Sequence, residues 1–145
     1  MVEDIRKFAR LHSLEDSILL HGSALNRALP AYFRAARVSA APSVSISCWT
    51  EQVGMVNIQS IACGTPVVST RSGSIPEFIE DGVSGILVPE RNAAALADAL
   101  VALLENEELH RRLSACGREA AVRRYNLRSN IALAEELILS KASRR

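Results

Sequence analysis

The sequence predicts an α/β fold, in which an open parallel sheet carries helices on both faces and further helices follow the last strand. Short runs of apolar and β-branched residues at 38–41, 66–69 and 85–89 alternate with segments of helical periodicity. Glycine or proline stands at most junctions between them. Strands separated by helices pair in parallel, because parallel neighbours need a crossover connection. A length of 145 residues fits one such domain.

The first quarter of the chain predicts a helix, a strand and a second helix. Residues 2–12 place apolar side chains at helical spacing, which predicts a short amphipathic helix. Residues 17–22 form a brief apolar run that ends in glycine, and this pattern predicts a buried strand. Pro30 fits the first turn of a helix over residues 29–36, where its missing N–H is not needed.

A serine-rich loop over residues 42–50 leads into the central helix. The loop carries the only tryptophan of the chain, Trp49. The helix predicted over residues 56–62 ends at a glycine that is followed by a proline, the usual order of stop signals. Loops at the carboxyl ends of strands are where open α/β sheets bind their ligands, so this loop is the first place to look for a site.

The second half of the chain is mainly helical. Pro76 begins a short helix that Gly82 closes, and the last strand follows at 85–89. Beyond Asn92, three apolar stripes at helical spacing predict three helices, and Asn126 is placed to cap the last of them. The stripes consist of Leu96, Leu100, Leu103 and Leu104, then Leu109, Leu113 and Cys116, then Ile131, Ala134, Leu137 and Ile138.

The composition narrows the function classes. A net charge of +1 and an aromatic fraction of 4% argue against a nucleic-acid or anionic-membrane partner. Three widely spaced cysteines, Cys48, Cys63 and Cys116, suit reduced thiols in the cytoplasm better than disulfides or a metal site. The first residues lack the order of a signal peptide, and no apolar run approaches the roughly 18 residues of a transmembrane helix. We therefore expect a cytoplasmic protein, with peripheral association with the membrane left open.

An acidic side chain, Glu51, precedes a glycine turn and the central helix. A helix start presents unpaired N–H groups and the positive end of the helix dipole, so such a turn can hold a phosphate or a polar sugar oxygen. Taken alone, an acid in this position more often serves the helix dipole. The same alternative holds for Glu77 beside Pro76, while His21 is more typical of a structural or solvent-facing histidine and Trp49 of a hydrophobic cover.

The surrounding motifs carry a family resemblance. The run Glu-Gln-Val-Gly-Met at 51–55 is followed by Gln-Ser-Ile-Ala-Cys-Gly-Thr-Pro-Val-Val at 59–68 and by Gly-Ser-Ile-Pro-Glu-Phe-Ile-Glu-Asp-Gly at 73–82. Together they resemble the C-terminal donor-binding domain of family-4 glycosyltransferases, retaining enzymes of the GT-B fold. The resemblance covers nearly the whole chain and implies a Rossmann-like domain.

The resemblance implies a role for each matching residue. Glu51 corresponds to the family's first glutamate, which faces the transferred sugar, and is the candidate catalytic residue. Gln59 stands where a second glutamate holds the nucleotide ribose. The backbone that lines the sugar and diphosphate corresponds to Val53, Gly54, Met55 and Val56. No metal and no cofactor is implied; the substrate would be a UDP- or GDP-linked sugar.

The sequence departs from the family pattern at several positions. An amide at Gln59 can accept from a ribose hydroxyl, but the charge-assisted bond of a glutamate is lost. Val53 replaces a residue that is usually aromatic, and Ser74 replaces the second glycine of a pair. The family's arginine and lysine that neutralise the diphosphate have no counterpart here. Arg71 is the nearest substitute.

We therefore expect residues 1–145 to form a single, partial nucleotide-sugar-binding domain, without the N-terminal acceptor domain and the first βα unit of the family. By resemblance, the enzyme transfers a hexose to an acceptor hydroxyl with retention, and the isolated chain is inactive. One alternative is a non-catalytic nucleotide-sugar-binding or assembly module that pairs with a partner subunit. Another is a generic Rossmann-like domain with a different ligand.

Overall fold

The fold is a three-stranded parallel sheet with helices on both sides, as a computed structural model that describes residues 2–142 shows. The strands are Ser39–Ala41 (β1), Val67–Thr70 (β2) and Ile86–Val88 (β3), in the spatial order β1-β2-β3. Both neighbouring pairs are parallel. The predicted fold class is therefore confirmed, as are the three strands at these positions.

Seven α-helices lie among the described residues, and their positions match the sequence predictions to within a few residues. Two short 3₁₀ turns, Glu15–Ser17 and Asn26–Ala28, lie between the first and second helices. The helices are Val2–Leu11 (α1), Leu29–Ala35 (α2), Met55–Ala62 (α3), Ile75–Phe78 (α4), Ala93–Glu105 (α5), Glu107–Arg124 (α6) and Leu127–Ala142 (α7).

Strand β2 is the centre of the core, because all four of its residues are buried. Successive side chains of a strand point to opposite faces, so Val67 and Val68 contribute to two different clusters. One cluster combines Val67 with Ile61, Ile75, Ile79, Leu87 and Ala121. The other combines Val68 with Val88, Leu103 and Leu113. Each face of the sheet thus has its own apolar layer.

Asparagine caps begin the three C-terminal helices. The side-chain oxygens of Asn92, Asn106 and Asn126 accept backbone N–H groups at 3.0, 2.9 and 3.2 Å, respectively. Such a bond satisfies one of the N–H groups that a helix start leaves without a partner. The capping role predicted for Asn126 is confirmed, with Ser129 as the donor.

The strand predicted over residues 17–22 is wrong. Ser17 ends a 3₁₀ turn, and the residues that follow run to Leu25 without any strand pairing. Leu19 is 88% exposed and Leu20 39% exposed. A strand exists only through backbone bonds to a neighbour, and within residues 2–142 the sheet offers this segment none. The segment has the apolar residues of a buried strand, but no neighbouring strand pairs with it and buries them.

Helices α1 and α7 carry apolar side chains that the described fold leaves in solvent. On α1, Phe8 is 54% and Leu11 77% exposed; on α7, no residue is buried, and Ile138 is 67% exposed. The described part of the chain contains no helix with the length and apolar character needed to cross a membrane.

Gly85, which precedes β3, provides a direct test of the core. A Cβ atom at this position would lie 2.7 Å from Val67 Cγ1 and 2.8 Å from Ile79 Cγ2. We expect Gly85→Ala to lower the free energy of unfolding by about 1–3 kcal/mol, as overpacking of a well-filled core does. Urea denaturation followed by circular dichroism measures the change.

Gly22→Ala is the matched control for Gly85→Ala, because a Cβ at Gly22 meets no atom within 4 Å. We expect Gly22→Ala to change the free energy of unfolding by less than about 1 kcal/mol. Equal stability of the two variants would contradict the packing described for Gly85.

Candidate functional site

Glu51 lies directly before α3, and its carboxylate folds back over its own loop. One oxygen, Oε1, accepts the backbone N–H groups of Gln52, Val53 and Gly54, with N···O distances of 3.1, 3.4 and 3.0 Å. Successive N–H groups that converge in this way form an anion-binding concavity. Gly54 makes the turn possible, because its φ of 64° lies in the left-handed region. The half-buried Glu51 side chain is thus fixed against the backbone.

The start of α3 remains open beyond this concavity. Within residues 2–142, no acceptor takes the N–H of Met55 or Val56, and none of the described donors reaches Glu51 Oε2. Met55 and Val56 are 56% and 43% exposed. The site therefore offers two helix-start donors to an anion and one carboxylate oxygen to a hydroxyl.

The loop that leads to Glu51 is bound to the segment 69–74 by four polar contacts, which we call the polar tether. Ser69 Oγ donates to the carbonyl oxygen of Ala41 at 2.7 Å, and Thr70 Oγ1 donates to that of Ser43. The next contacts are between the hydroxyls of Ser72 and Ser45, at 3.0 Å, and from the Ser74 N–H to the carbonyl oxygen of Glu51, at 3.1 Å. The tether holds the loop over the carboxyl ends of the strands.

Gly73 brings the two segments of the tether into contact. Its φ is 52°, and a Cβ atom there would lie 2.0 Å from the Glu51 carbonyl oxygen and 2.7 Å from Thr50 Oγ1. Only glycine allows the backbone after β2 to approach Glu51 this closely.

Glu90, after β3, adds a carboxylate to the same loop. Its two oxygens accept from the backbone N–H and the hydroxyl of Ser45, at 2.9 and 2.8 Å. These two bonds, in that order, hold the pKa of Glu90 below its ordinary value. Because the pKa is lowered in the folded state, the stability it contributes is present above the ordinary carboxyl pKa. That contribution is lost as the pH falls through the lowered pKa.

A cleft of about 680 Å³ lies on the side of α3 that faces the junction of α6 and α7. Val53, Met55 and Gln59 line it, together with Arg128 and with apolar side chains that include Phe78, Val122 and Leu127. The Tyr125 hydroxyl donates to the Phe78 carbonyl oxygen at 3.2 Å, and burial raises the pKa of Tyr125. Of the predicted site residues, Glu51 therefore lies with the loop and Gln59 with the cleft, while Val53 and Met55 connect the two.

Four other residues singled out from the sequence lie at exposed or surface positions. Arg71 forms an ion pair with Asp81. The ring nitrogen Nε2 of His21 shares a 2.8 Å hydrogen bond with the Tyr32 hydroxyl, on the surface. Glu77 is an exposed acid in the first turn of α4. Trp49 is 50% exposed and pairs with Ile46 across a tight hairpin, so it does not cover a core.

Two polar residues of the site region were missed from the sequence. Glu90 was not singled out, because its role depends on a serine 45 positions earlier. Asn57, on α3, is 1% exposed; its Nδ2 donates to Ser69 Oγ at 3.1 Å, while its Oδ1 is buried with no partner among the described residues. A polar residue in an apolar helix between Val56 and Ile58 was the available signal.

Candidate metal ligands do not cluster in the described residues, where no group of three or more His, Cys, Asp or Glu side chains converges. The three cysteines are free thiols.

The fold and the ligand-accessible helix start define a Rossmann-like α/β domain with its candidate site at the carboxyl ends of the strands. The chain belongs to the family described as Glycosyl transferases group 1, whose model matches residues 1–120. The match includes both the Glu51 loop and the segment that carries Glu90.

Similarities to individual glycosyltransferases and solved structures are consistent with this family. The chain is 36% identical over 124 residues to a D-inositol 3-phosphate glycosyltransferase of Xylanimonas cellulosilytica, and this match covers 86% of the chain but 28% of the relative. A sucrose-phosphate synthase from Thermosynechococcus elongatus superposes with a TM-score of 0.84 at 27% identity, over 99% of this chain and 35% of that one. HepE from Anabaena, solved with UDP-glucose, gives 0.81 at 23% identity, over 94% and 36%. The chain thus spans about a quarter to a third of the length of these proteins.

Gly73 tests whether the tether positions Glu51. We expect Gly73→Ala to lower the free energy of unfolding by about 1–3 kcal/mol more than Gly82→Ala, because only the first adds a clash. The two glycines have similar positive φ angles, 52° and 74°, so the backbone strain of an alanine is matched. Urea denaturation, with Trp49 emission as a local probe, measures both effects.

At Gly82 an added Cβ meets no atom within 4 Å, which makes Gly82→Ala the control. If the two variants lose the same stability and leave Trp49 emission unchanged, the close approach of Gly73 to Glu51 is not a constraint on the loop.

Proposed function

We propose that this chain is the donor-binding part of a glycosyltransferase that moves a sugar from a nucleoside diphosphate to an acceptor hydroxyl with retention and without a metal. The observation that carries the proposal is the fixed Glu51 carboxylate beside the two free N–H groups that begin α3. An N–H pair at a helix start suits a phosphate, and a carboxylate oxygen suits the hydroxyls of a sugar.

In the proposed reaction, the bond between the anomeric carbon and the β-phosphate oxygen breaks, and the nucleoside diphosphate leaves with the electron pair. The acceptor oxygen forms the new bond to that carbon and gives its proton to the departing diphosphate. The N–H groups of Met55 and Val56 would stabilise the negative charge that develops on the leaving phosphate. Glu51 Oε2 would orient the sugar, while Oε1 stays on the loop backbone.

A uridine nucleotide is the first donor to test. HepE, which shares the fold, was solved with UDP-glucose, with UDP and glucose, and with UDP. The named relative is a glycosyltransferase that acts on an inositol phosphate, which supports a sugar as the transferred group. GDP is the alternative, because the described site contains no contact that selects a base.

Gln59 would hold the ribose from the cleft side of α3. Its amide oxygen can accept a hydroxyl proton, but a neutral acceptor gives a weaker bond than a carboxylate. The side chain is partly buried and lines the cleft together with Met55, one helical turn earlier.

A second candidate function is an assembly module that binds the nucleotide sugar and pairs with a partner subunit. The exposed apolar face of α1 favours it, with Phe8 54% and Leu11 77% exposed. A neighbouring reading frame that encodes an acceptor-binding half would support a split enzyme of this kind. We also propose a cytoplasmic location, which three free thiols favour.

Nucleotide binding tests the proposal directly. We expect UDP or GDP to bind the chain in isothermal titration calorimetry at up to millimolar concentration, and Gln59→Ala to weaken that binding. Gln59→Glu restores a charged acceptor, and we expect it to tighten binding by roughly fivefold, the difference between a neutral and a charge-assisted hydrogen bond. Glu51→Ala should reduce the affinity for the sugar nucleotide more than that for the free nucleotide, because Glu51 is proposed to touch the sugar.

A matched control is Ser140→Glu, which adds the same charge at an exposed position near the end of α7, outside the loop and the cleft. Absence of binding by both UDP and GDP, with the folded state intact by circular dichroism, would overturn the proposed site.

The isolated chain is expected to show no transferase turnover, because Arg71, the nearest substitute for the family's diphosphate-neutralising cations, is paired with Asp81. Release of UDP from UDP-glucose, measured with an acceptor mixture against a blank without enzyme, checks this expectation. Turnover above the blank would show that the chain contains a complete active site.

A further inference from the structure

The loop between β1 and Glu51 contains a hairpin that apolar burial does not hold in place. Ile46 and Trp49 exchange two backbone hydrogen bonds, Ile46 N–H to the Trp49 carbonyl at 2.9 Å and Trp49 N–H to the Ile46 carbonyl at 3.2 Å. Their side chains are nevertheless 56% and 50% exposed. A short exposed hairpin is at best marginally stable by itself, so other contacts must fix it.

The base of the hairpin is fixed by one carboxylate. Glu90 binds both the N–H and the hydroxyl of Ser45, which directly precedes Ile46. Because the Ser45 hydroxyl gives its only proton to Glu90, it can only accept from the hydroxyls of Thr50 and Ser72, each 3.0 Å away. The charge on Glu90 therefore sets the direction of three hydroxyl groups.

These hydroxyls lie on both sides of the hairpin. Ser45 is at its start, and Thr50 follows its end and is covalently joined to Glu51. Ser72 belongs to the polar tether. The guanidinium of Arg91 also donates to the Ser45 carbonyl oxygen, at 3.3 Å. Glu90 is thus joined to Glu51 through Ser45 and Thr50, by two hydrogen bonds and one peptide bond.

We propose that Glu90 is a positioning residue for the proposed transferase site: its carboxylate orders the Ile46–Trp49 hairpin and so fixes Trp49 and Glu51 for the nucleotide sugar. The part of this inference that concerns the nucleotide sugar rests on the proposed function. The ordering of the hairpin can be tested without any ligand.

The only tryptophan of the chain is on the hairpin, so tryptophan fluorescence, excited outside the tyrosine absorption band, reports on it alone. Time-resolved anisotropy of Trp49 is compared in wild type, Glu90→Gln and Ser72→Ala. In Glu90→Gln, the amide N–H₂ can donate to the Ser45 hydroxyl, which reverses the chain of hydroxyl bonds while nearly conserving size. For Glu90→Gln, we expect a fast local component in the anisotropy decay that wild type lacks. For Ser72→Ala, we expect a smaller fast component, because this variant loses the hydrogen bond to the Ser45 hydroxyl but keeps Glu90.

Glu105→Gln is the matched control, because Glu105 is an exposed acid at the end of α5. It removes the same charge and should leave the anisotropy decay as in wild type. The far-ultraviolet circular dichroism spectra of all variants should coincide. If Glu90 had a merely structural role, its loss would loosen the whole fold and change the spectrum of Glu90→Gln.

Titration with UDP-glucose forms the second arm. We expect Glu90→Gln to bind it roughly tenfold more weakly than wild type and Glu105→Gln, the loss typical of a charge-assisted hydrogen bond. An anisotropy decay in Glu90→Gln equal to that of wild type would overturn the inference, as would a mobile hairpin with unchanged affinity. If wild type itself does not bind UDP-glucose, the proposed function fails. The anisotropy decays of the ligand-free proteins would still show whether Glu90 orders the hairpin.

Discussion

Burial of polar side chains on β2 is the constraint on which the site depends. Ser69 and Thr70 are 0% and 2% exposed, so water cannot satisfy their hydroxyls. A buried hydroxyl without a partner costs roughly 1–3 kcal/mol, and the carbonyl groups of Ala41 and Ser43 are the acceptors within reach. The loop after β1 must therefore run alongside β2. The register of the sheet, which sets Ala41 opposite Ser69, is continued by these contacts beyond the end of the strand.

The same loop determines the electrostatics of the site. Glu51 takes three N–H groups through one oxygen, and this leaves the first two N–H groups of α3 for a ligand. A carboxylate held in this way lies close to where an anion would bind, and its own charge opposes that anion. Arg71 does not offset this charge, because it is bound to Asp81. In the proposed site, the helix start would hold the diphosphate, with Arg128 as the cation in the lining of the adjoining cleft.

Local patterns in the sequence were sufficient for the elements and for part of the site. The β-branched run at 66–69, the glycine ahead of α3 and the asparagine ahead of α7 act through their immediate neighbours, and each was predicted correctly. The run at 17–22 has an equally clear pattern, but a strand depends on a neighbour that sequence periodicity does not reveal. Glu90 and the Ile46–Trp49 hairpin were missed for a related reason: the serine that Glu90 binds is 45 positions away. The roles of Glu51 and Gln59 came from the family resemblance and remain predictions.

The division of the site residues between the start of α3 and the adjoining cleft constrains how a nucleotide sugar could lie. Glu51 and the hairpin are at the carboxyl ends of the strands, whereas Gln59 lines the cleft one turn further along the helix, roughly 6 Å beyond Met55. A donor that uses both must place its diphosphate at the helix start, between its sugar and its ribose. In that pose the two ends meet unequal partners, because the sugar meets a fixed carboxylate and the ribose a neutral amide. Loss of order in the Glu51 loop would then remove the stronger of the two contacts. The proposed positioning by Glu90 would therefore matter more in this chain than it would beside a glutamate at position 59.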